Sequence, residues 1–266
     1  MKYCRMEVDG NAVWGLVEER AGALWITAQL DSPWKTEPVA LLAEPLLLSQ
    51  ARLLAPVAPT KIVCVGRNYR DNAKELGNEV PTEPLLFFKP PSSLLGHGGV
   101  VRMPSVSSRV DFEGELAIVI ARRIHKFCPE QDVHSCIHGV TVANDVTARD
   151  LQKKDGQWTR AKGFDTFCPV GPIVETSIPA QAIAAGLVVE TRVNGDLRQH
   201  GSTADFIFAL PELLAYITAA ITLEPGDLLL TGTPAGVGPV RPGDTVEISV
   251  AGVGSLRNSF AAEAAH

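Results

Sequence analysis

A chain of 266 residues, 45% hydrophobic and 20% charged, can bury a substantial core as one large domain or as one large and one small. Its formal net charge of -6, with 24 Lys and Arg scattered rather than striped, argues against a nucleic-acid partner. Met1 to Glu7 alternate and carry an early acid, unlike a secretory signal, and no apolar run approaches a membrane span, so a cytoplasmic protein without a membrane partner is expected.

In chain order, Met6 to Val8, Val13 to Val17 and Leu24 to Ile26 read as three short antiparallel strands. Turns at Asp9-Gly10-Asn11 and Arg20-Ala21-Gly22 separate them. Trp34 and the Leu-rich stretch to Leu48 are expected to pack this unit, and Arg52 to Pro59 is a proline-stiffened connector. The expected division is a small β-rich N-terminal domain, 1–57, and a main domain, 58–266. Lys61 to Val65 is a buried strand leading into Gly66-Arg67-Asn68-Tyr69. Asp71 to Leu76 can form one or two helical turns closed by Gly77. Pro84 to Lys89 is a strand, and on residue type alone Lys89 at its end reads as a side chain snorkelling from an edge.

The centre of the chain is Asp111-Phe112-Glu113-Gly114-Glu115, which runs into Leu116-Ala117-Ile118-Val119-Ile120. Alternation along a buried strand puts Glu113 and Glu115 on one face and Gly114 on the other. Two carboxylates side by side repel unless a cation or shared protons lie between them. A second strand, His138 to Ala143, ends in Asn144-Asp145 and offers Asp145 as a third oxygen ligand. Three carboxylates from two strand ends suit a hard divalent ion such as Mg²⁺ with positions left for water or substrate.

Beyond it, Val146 to Lys153 can be helical, with Arg149 and Gln152 three apart on one face. Lys162, between small residues, reads equally as a surface lysine or as a partner for an oxyanion. Cys168-Pro169-Val170-Gly171-Pro172 reads as a turn-rich run that resists helix formation. Val188 to Val193, the Asn194-Gly195 turn and the segment from Asp196 form a hairpin. Pro211 to Thr222 is a helix, and Leu228 to Leu230 is a strand that delivers the glycine-rich loop Thr231 to Gly238. That loop lacks the Gly-Lys-Ser/Thr ending of a nucleotide loop and suits a close backbone approach. Thr245 to Val250 and a last segment add strands, and the absence of βαβ alternation disfavours a dinucleotide fold. Cys4, Cys64, Cys128, Cys136 and Cys168 have no C-x-x-C pair, which points to buried thiols in a reducing compartment.

Taken together, Val65-Gly66-Arg67-Asn68-Tyr69, Phe88-Lys89-Pro90, Glu113-Gly114-Glu115-Leu116, Asn144-Asp145-Val146-Thr147-Ala148-Arg149-Asp150, Val193-Asn194-Gly195 and Thr231 to Gly238 resemble the fumarylacetoacetate hydrolase family over about residues 60 to 259. Its members include acylpyruvate hydrolases, 2-hydroxyhepta-2,4-diene-1,7-dioate isomerases and oxaloacetate decarboxylases. The resemblance implies an α+β fold, a mixed β-sandwich roll of that family's C-terminal type with a small β-rich N-terminal domain, and a homodimer. It implies Mg²⁺ or Mn²⁺ on Glu113, Glu115 and Asp145, and a small oxo-acid substrate. Lys162 would face the developing enolate, and Arg67, Lys89, Arg149, Gln152 and Thr233 would bind substrate.

One position departs from the pattern. Hydrolytic and decarboxylating members carry Asp-His-x-x-Glu, whose His and Glu activate water, where this chain reads Asp71-Asn72-Ala73-Lys74-Glu75. Asn72 has no titratable nitrogen, and Glu75 alone is the weaker base. With Lys162, these two complete the catalytic candidates, and His97 and His200 are the histidines that could replace the missing one. The expectation is an isomerase or tautomerase of small 2-oxo or 2-hydroxydienoic acids acting through an enolate that metal and Lys162 stabilise. The alternatives are an acylpyruvate-type C–C hydrolase, an oxaloacetate decarboxylase, and a non-catalytic oxo-acid binder.

Overall fold

The computed structural model describes residues 1–264 apart from 76 and 78. Strands dominate it, in three sheets of twelve, five and three strands. The path through the largest sheet is Pro38–Leu47, Ala23–Leu30, Asn11–Arg20, Lys2–Val8, Cys168–Glu175, Ile137–Asn144, Gly114–Ile120, Leu228–Leu230, Ile62–Gly66 and Leu85–Lys89. Most neighbours are antiparallel, but Leu228–Leu230 runs parallel to Ile62–Gly66. The five-stranded sheet orders Asp196–Ser202, Val188–Val193, Thr245–Val250, Gly254–Ala262 and Val100–Met103. Helices are few and short: α1 (Arg70–Glu75), α2 (Arg149–Asp155), α3 (Thr159–Gly163), α4 (Ala180–Gly186) and α5 (Leu210–Ala220). The expectation of several mixed sheets with little helix agrees with this architecture.

Gly114–Ile120 is buried at every position. Leu116, Ile118 and Ile120 join a core with Val246, Ile248, Leu256 and Phe260 of the five-stranded sheet. Ala117 and Val119 point the other way, into a core with Ile62, Cys64, Leu228 and Leu230. Each large aliphatic side chain so buried contributes on the order of 1.5–3 kcal/mol, which fixes the register of this strand and with it the face of every residue it carries.

The first residues form the strand meander read from their turns, and they extend the same large sheet. Lys2 pairs with Glu175 and Tyr3 with Val174. Residues 1–57, which we propose as a small N-terminal domain, are therefore joined edge to edge with the strands that follow. The Leu-rich stretch is itself a fourth strand, Pro38–Leu47; its Leu42 and Leu46, with Leu48 beyond it, pack on Cys4, Met6, Val17 and Ile26 of the other three as expected, while Val39 and Leu41 are 59% and 78% exposed.

Three other readings are corrected. Cys168–Glu175, read as turns from its prolines and glycine, is a wholly buried central strand. Its register against Ile137–Asn144 shifts between Val140 and Val142, an irregularity that leaves room for residues poor in N–H donors. Val100–Met103, in the stretch between Lys89 and Asp111 where no strand is expected, is a strand parallel to Gly254–Ala262. Helix α2 begins at Arg149 instead of Val146 because Thr147 and Ala148 pair with Asp111 and Val110. Helix α1 spans Arg70–Glu75, and Leu76 of the expected turn lies outside the described residues. The Asn194-Gly195 hairpin and the helix that Pro211 opens are as the sequence indicates.

Candidate metal centre and active site

Gly114 opposes Asn144 across two antiparallel strands, so the carboxylates of Glu113, Glu115 and Asp145 converge where one strand starts and the other ends. The junction is locked from both sides. Glu113 N donates to Asn144 Oδ1 at 2.9 Å, and Asp145 N donates to Glu113 O at 2.9 Å. A Cβ on Gly114 would press on Thr191, on Gln199 Oε1 at 3.1 Å and on Ile248 at 3.1 Å, in the five-stranded sheet. Glycine is needed for that approach, and Glu113 and Glu115 face the other way into a shared cavity, as their alternation requires.

Gln199, which the sequence did not single out, holds this geometry. Its Oε1 accepts from Gly114 N at 2.9 Å, and its Nε2 donates to Thr233 Oγ1 and Pro234 O, each at 2.8 Å. Thr233 Oγ1 donates to Gly114 O at 2.8 Å, so the hydroxyl proton is committed and Thr233 faces a ligand as methyl group or acceptor. Gly232, at a φ of +99° and with no room for a Cβ beside Asn68, brings its N–H to Glu115 Oε2 at 2.8 Å. The close approach of the glycine-rich loop is thus to a carboxylate of the site. Gly236 N in the same loop donates to Glu75 Oε2 at 2.8 Å, which ties α1 down.

Cations balance the carboxylates. Lys162 Nζ donates to Asp145 Oδ2 at 2.6 Å and to Glu113 Oε2 at 2.8 Å. Lys89 Nζ donates to Asp145 Oδ1 at 2.6 Å and to Val146 O at 3.1 Å. Arg149 Nη2 reaches Glu113 Oε1 at 2.5 Å, its Nε reaches Asp111 Oδ2 at 3.0 Å, and its Nη1 reaches Gln152 Oε1 at 2.8 Å. Burial pushes the Asp145 carboxyl up, but Lys162 and Lys89 outweigh it and hold Asp145 below the usual range. Burial likewise opposes the Lys162 charge, and Asp145 and Glu113 overcome it, raising Lys162 above an ordinary lysine. Among the described residues, Glu115 alone of the three carboxylates has no cationic partner. Burial first, then Asp145 and Glu113, push its carboxyl well above the usual range.

Lys89, although it ends the last strand of the large sheet, therefore does not snorkel from that edge. At 1% exposure it lies behind Asp145 and is not part of the cavity wall. Lys162 is 2% exposed and forms part of that wall, its ammonium 4.9 Å from the Phe87 ring and 5.9 Å from the Trp158 ring. The cavity, about 320 Å³, is also lined by Arg67, Asn72, Arg149, Gln152 and Thr233, so the structure brings most of the expected residues together. Asn72 is 2% exposed, and among the described residues its Nδ2 has no hydrogen-bond partner. Glu75 lies at the loop beside the cavity rather than in its wall. His97 Nδ1 accepts from Arg257 N at 3.2 Å, and His200 stands near Glu190 at 3.8 Å; neither lines the cavity.

Arg109, Lys153, Phe87 and Trp158 line the cavity without having been singled out. Arg109 had a signal in its spacing: it lies two residues before Asp111, immediately ahead of the strand Val110–Phe112.

The donor set fits a hard divalent ion. One oxygen from each of Glu113, Glu115 and Asp145 lies within 4.8 Å of the others. Neighbouring oxygens of octahedral Mg²⁺ stand about 3.0 Å apart and opposite ones about 4.2 Å at bond lengths of about 2.1 Å, so the trio would draw together by up to about 2 Å to close on one ion. Cys64 and Cys168 are close enough for Asp145 to affect both. Burial pushes both thiols up, Cys168 to about 12, which keeps them protonated and unsuited as soft ligands. Four of the five cysteines are buried and all are free; Cys128 is the exposed exception. No helix among the described residues is long and apolar enough to cross a membrane.

Residues 61–261 match the family model described as fumarylacetoacetate (FAA) hydrolase C-terminal. Oxaloacetate tautomerase YisK of Bacillus subtilis is 44% identical over 225 residues, covering 80% of this chain and 74% of its own. The mitochondrial oxaloacetate tautomerase FAHD1 of Arabidopsis thaliana is 44% identical over 202 residues, 74% of this chain and 89% of its own. The crystal structure of 2-hydroxyhepta-2,4-diene-1,7-dioate isomerase from Mycobacterium marinum superposes with a TM-score of 0.86 at 41% identity, covering 100% of both chains.

Proposed function

The chain belongs to the fumarylacetoacetate hydrolase family, and on that premise we propose that it is a divalent-metal-dependent tautomerase or isomerase of small 2-oxo diacids acting through an enolate. The observation that carries this reading is the make-up of the cavity wall. Among the described residues it holds three carboxylates, a buried lysine and several arginines, but no histidine, and Asn72 occupies the position that carries the water-activating histidine in the hydrolytic pattern. Moving a proton between carbon and oxygen needs no attacking water, whereas hydrolysis does.

Mg²⁺ or Mn²⁺ held by Glu113, Glu115 and Asp145 would act as a Lewis acid toward the 2-oxo oxygen and acidify the neighbouring C–H. Lys162 supplies a second positive charge that grows in value as the oxygen becomes an enolate, because the ground-state ketone carries no charge to meet it. The Arg149 guanidinium and the Gln152 amide, already bonded to each other, orient the carboxylate next to the oxo group. Phe87 and Trp158 flank the Lys162 ammonium and keep water from it, which strengthens its field. We further propose a homodimer, for which light scattering should give twice the 28.4 kDa of one chain.

The test separates the shared step from cleavage. Exchange of the proton beside the oxo group of oxaloacetate, followed by NMR in D₂O with Mn²⁺ or Mg²⁺ present, should outrun cleavage of an acylpyruvate, followed by loss of its diketone absorbance. Asn72→His should raise cleavage by up to about 100-fold while exchange changes far less, since imidazole paired with Glu75 adds the missing base. Acylpyruvate hydrolysis by the wild type at about 1 s⁻¹ or faster, the ordinary enzymatic range, would overturn the reading.

A further inference from the structure

The cavity has a second anion-reading group that the reaction at the carboxylate floor does not need. Arg109 lines the cavity, yet its side chain is 51% exposed, so it stands at the mouth. Its Nε donates to Asp111 Oδ1 at 2.8 Å and its Nη2 to Asp111 Oδ2 at 3.0 Å. Asp111 is fully buried, and the same Oδ2 accepts from Arg149 Nε at 3.0 Å. Two guanidinium nitrogens bonded to one oxygen at 3.0 Å each can be no more than about 6 Å apart. The carboxylate of Asp111 thus yokes the mouth arginine to the arginine that touches Glu113.

The segment carrying Arg109 is also fixed. Arg149 N donates to Arg109 O at 2.8 Å. Ser107 Oγ donates to Asp150 Oδ1 at 2.6 Å, and Ser108 N to Asp150 Oδ2 at 2.9 Å, which pins the approach to Arg109 on the first turn of α2. A guanidinium has five N–H donors, and two of Arg109's are spent on Asp111. Among the described residues Nη1 has no protein acceptor. The result is a pre-oriented fork whose free edge is turned toward solvent, with Arg67 and Lys153 as further cations in the same wall.

We propose that Arg109 is a specificity-determining residue that binds the carboxylate distal to the 2-oxo group and selects short-chain 2-oxo dicarboxylates over 2-oxo monocarboxylates. The proposal rests on the oxo-acid reading of the site and adds the discriminating residue. Arg149 takes the carboxylate beside the oxo group, near the floor. Arg109, held one shared oxygen away, takes the carboxylate at the other end of a short carbon chain. A chain ending in methyl leaves the Arg109 fork facing solvent, with a cavity of one fewer ion pairs. A longer diacid carries its second carboxylate past the fork.

The experiment compares oxaloacetate with 2-oxobutanoate, which has a methyl group where oxaloacetate has its second carboxylate. Calorimetric binding to the Mn²⁺-loaded protein and proton exchange in D₂O are both measured, for wild type, Arg109→Gln and Arg109→Lys. Wild type should bind oxaloacetate at least about 30-fold more tightly than 2-oxobutanoate, within the range of a charge-assisted bidentate contact. Arg109→Gln should cut that ratio about 10-fold or more, through the affinity or KM for oxaloacetate rather than through kcat, and Arg109→Lys should restore part of it. Asp111 keeps Arg149 in the variants, so Mn²⁺ affinity serves as the control for an intact floor. A ratio unchanged within about twofold in Arg109→Gln overturns the assignment, as does a variant that loses both ligands equally. Wild type that binds oxaloacetate in an Arg109-dependent way without turnover leaves the assignment standing and removes the catalytic reading. Wild type that binds neither ligand removes both.

Discussion

The floor and the mouth of the cavity are both charged, yet they hold their charges by different means. At the floor Glu113, Glu115, Asp145, Lys89 and Lys162 are each 6% exposed or less, so every charge depends on a neighbour rather than on water. At the mouth Arg109 and Lys153 are open to solvent, which shares the work of stabilising them. Breaking a buried ion pair costs about 3–5 kcal/mol, whereas exposed pairs contribute about 0–1 kcal/mol. A change at the floor should decide whether the site exists, and a change at the mouth should decide what it accepts.

The largest effect expected from that contrast is at Asp145. Asp145→Ala deletes one of the three proposed metal ligands and strips Lys89 and Lys162 of a shared counter-ion, so Mn²⁺ affinity should fall by at least about 100-fold and the melting temperature should drop as well. Calorimetric titration giving wild-type affinity would remove Asp145 from the metal set. Next is Lys162→Met, which keeps the apolar stem between Phe87 and Trp158 and deletes the charge. Its kcat for exchange should fall about 100-fold with a smaller change in KM, and a loss confined to KM would make Lys162 a binding group only.

Salt should separate the two regions without any substitution. Raising ionic strength from about 0.1 to 1 M shortens the screening length from about 10 to 3 Å. The KM for a dianionic substrate should then rise several-fold, while melting temperature, set by the buried floor, moves little. Equal sensitivity of both would erase the distinction. The smallest effect is expected from acid at the clamp beneath Arg109. Burial would raise the Asp150 carboxyl, but Ser107 and Ser108 hydrogen bonds bring it down to about 2. A folded value below the unfolded one, about 3.9, means that stability is present above pH 4 and is lost as pH falls toward 2. Asp150→Asn should flatten that part of the acid unfolding curve, and an unchanged slope would show that the clamp carries none of it.

How far the sequence reaches can be judged from particular side chains. Alternation along one strand sufficed for Glu113 and Glu115, because a period of two and an apolar continuation fix the faces before any partner is known. The hairpin at Asn194-Gly195 was equally local, since its backbone angles follow from the two residues themselves. Local chemistry misled at Lys89, where a lysine before two prolines gives no hint of a buried carboxylate contributed by a strand 56 positions on. It misled again at Cys168–Glu175, whose prolines and glycine suggest turns until a register shift in the neighbouring strand accommodates them.

By itself, then, the sequence determined the paired carboxylates, the strand ends that carry them and the absence of a histidine at position 72, all properties of residue type and short-range period. Only the tertiary structure decided which cations meet those carboxylates, that Gln199 anchors Gly114, and that Asp111 holds Arg109 beside Arg149. Apart from the Arg109–Asp111 pair, two positions apart, those contacts join segments 17 to 85 residues apart in the chain. No local pattern encodes them, because such distant side chains are brought together only when the sheets close over a common core.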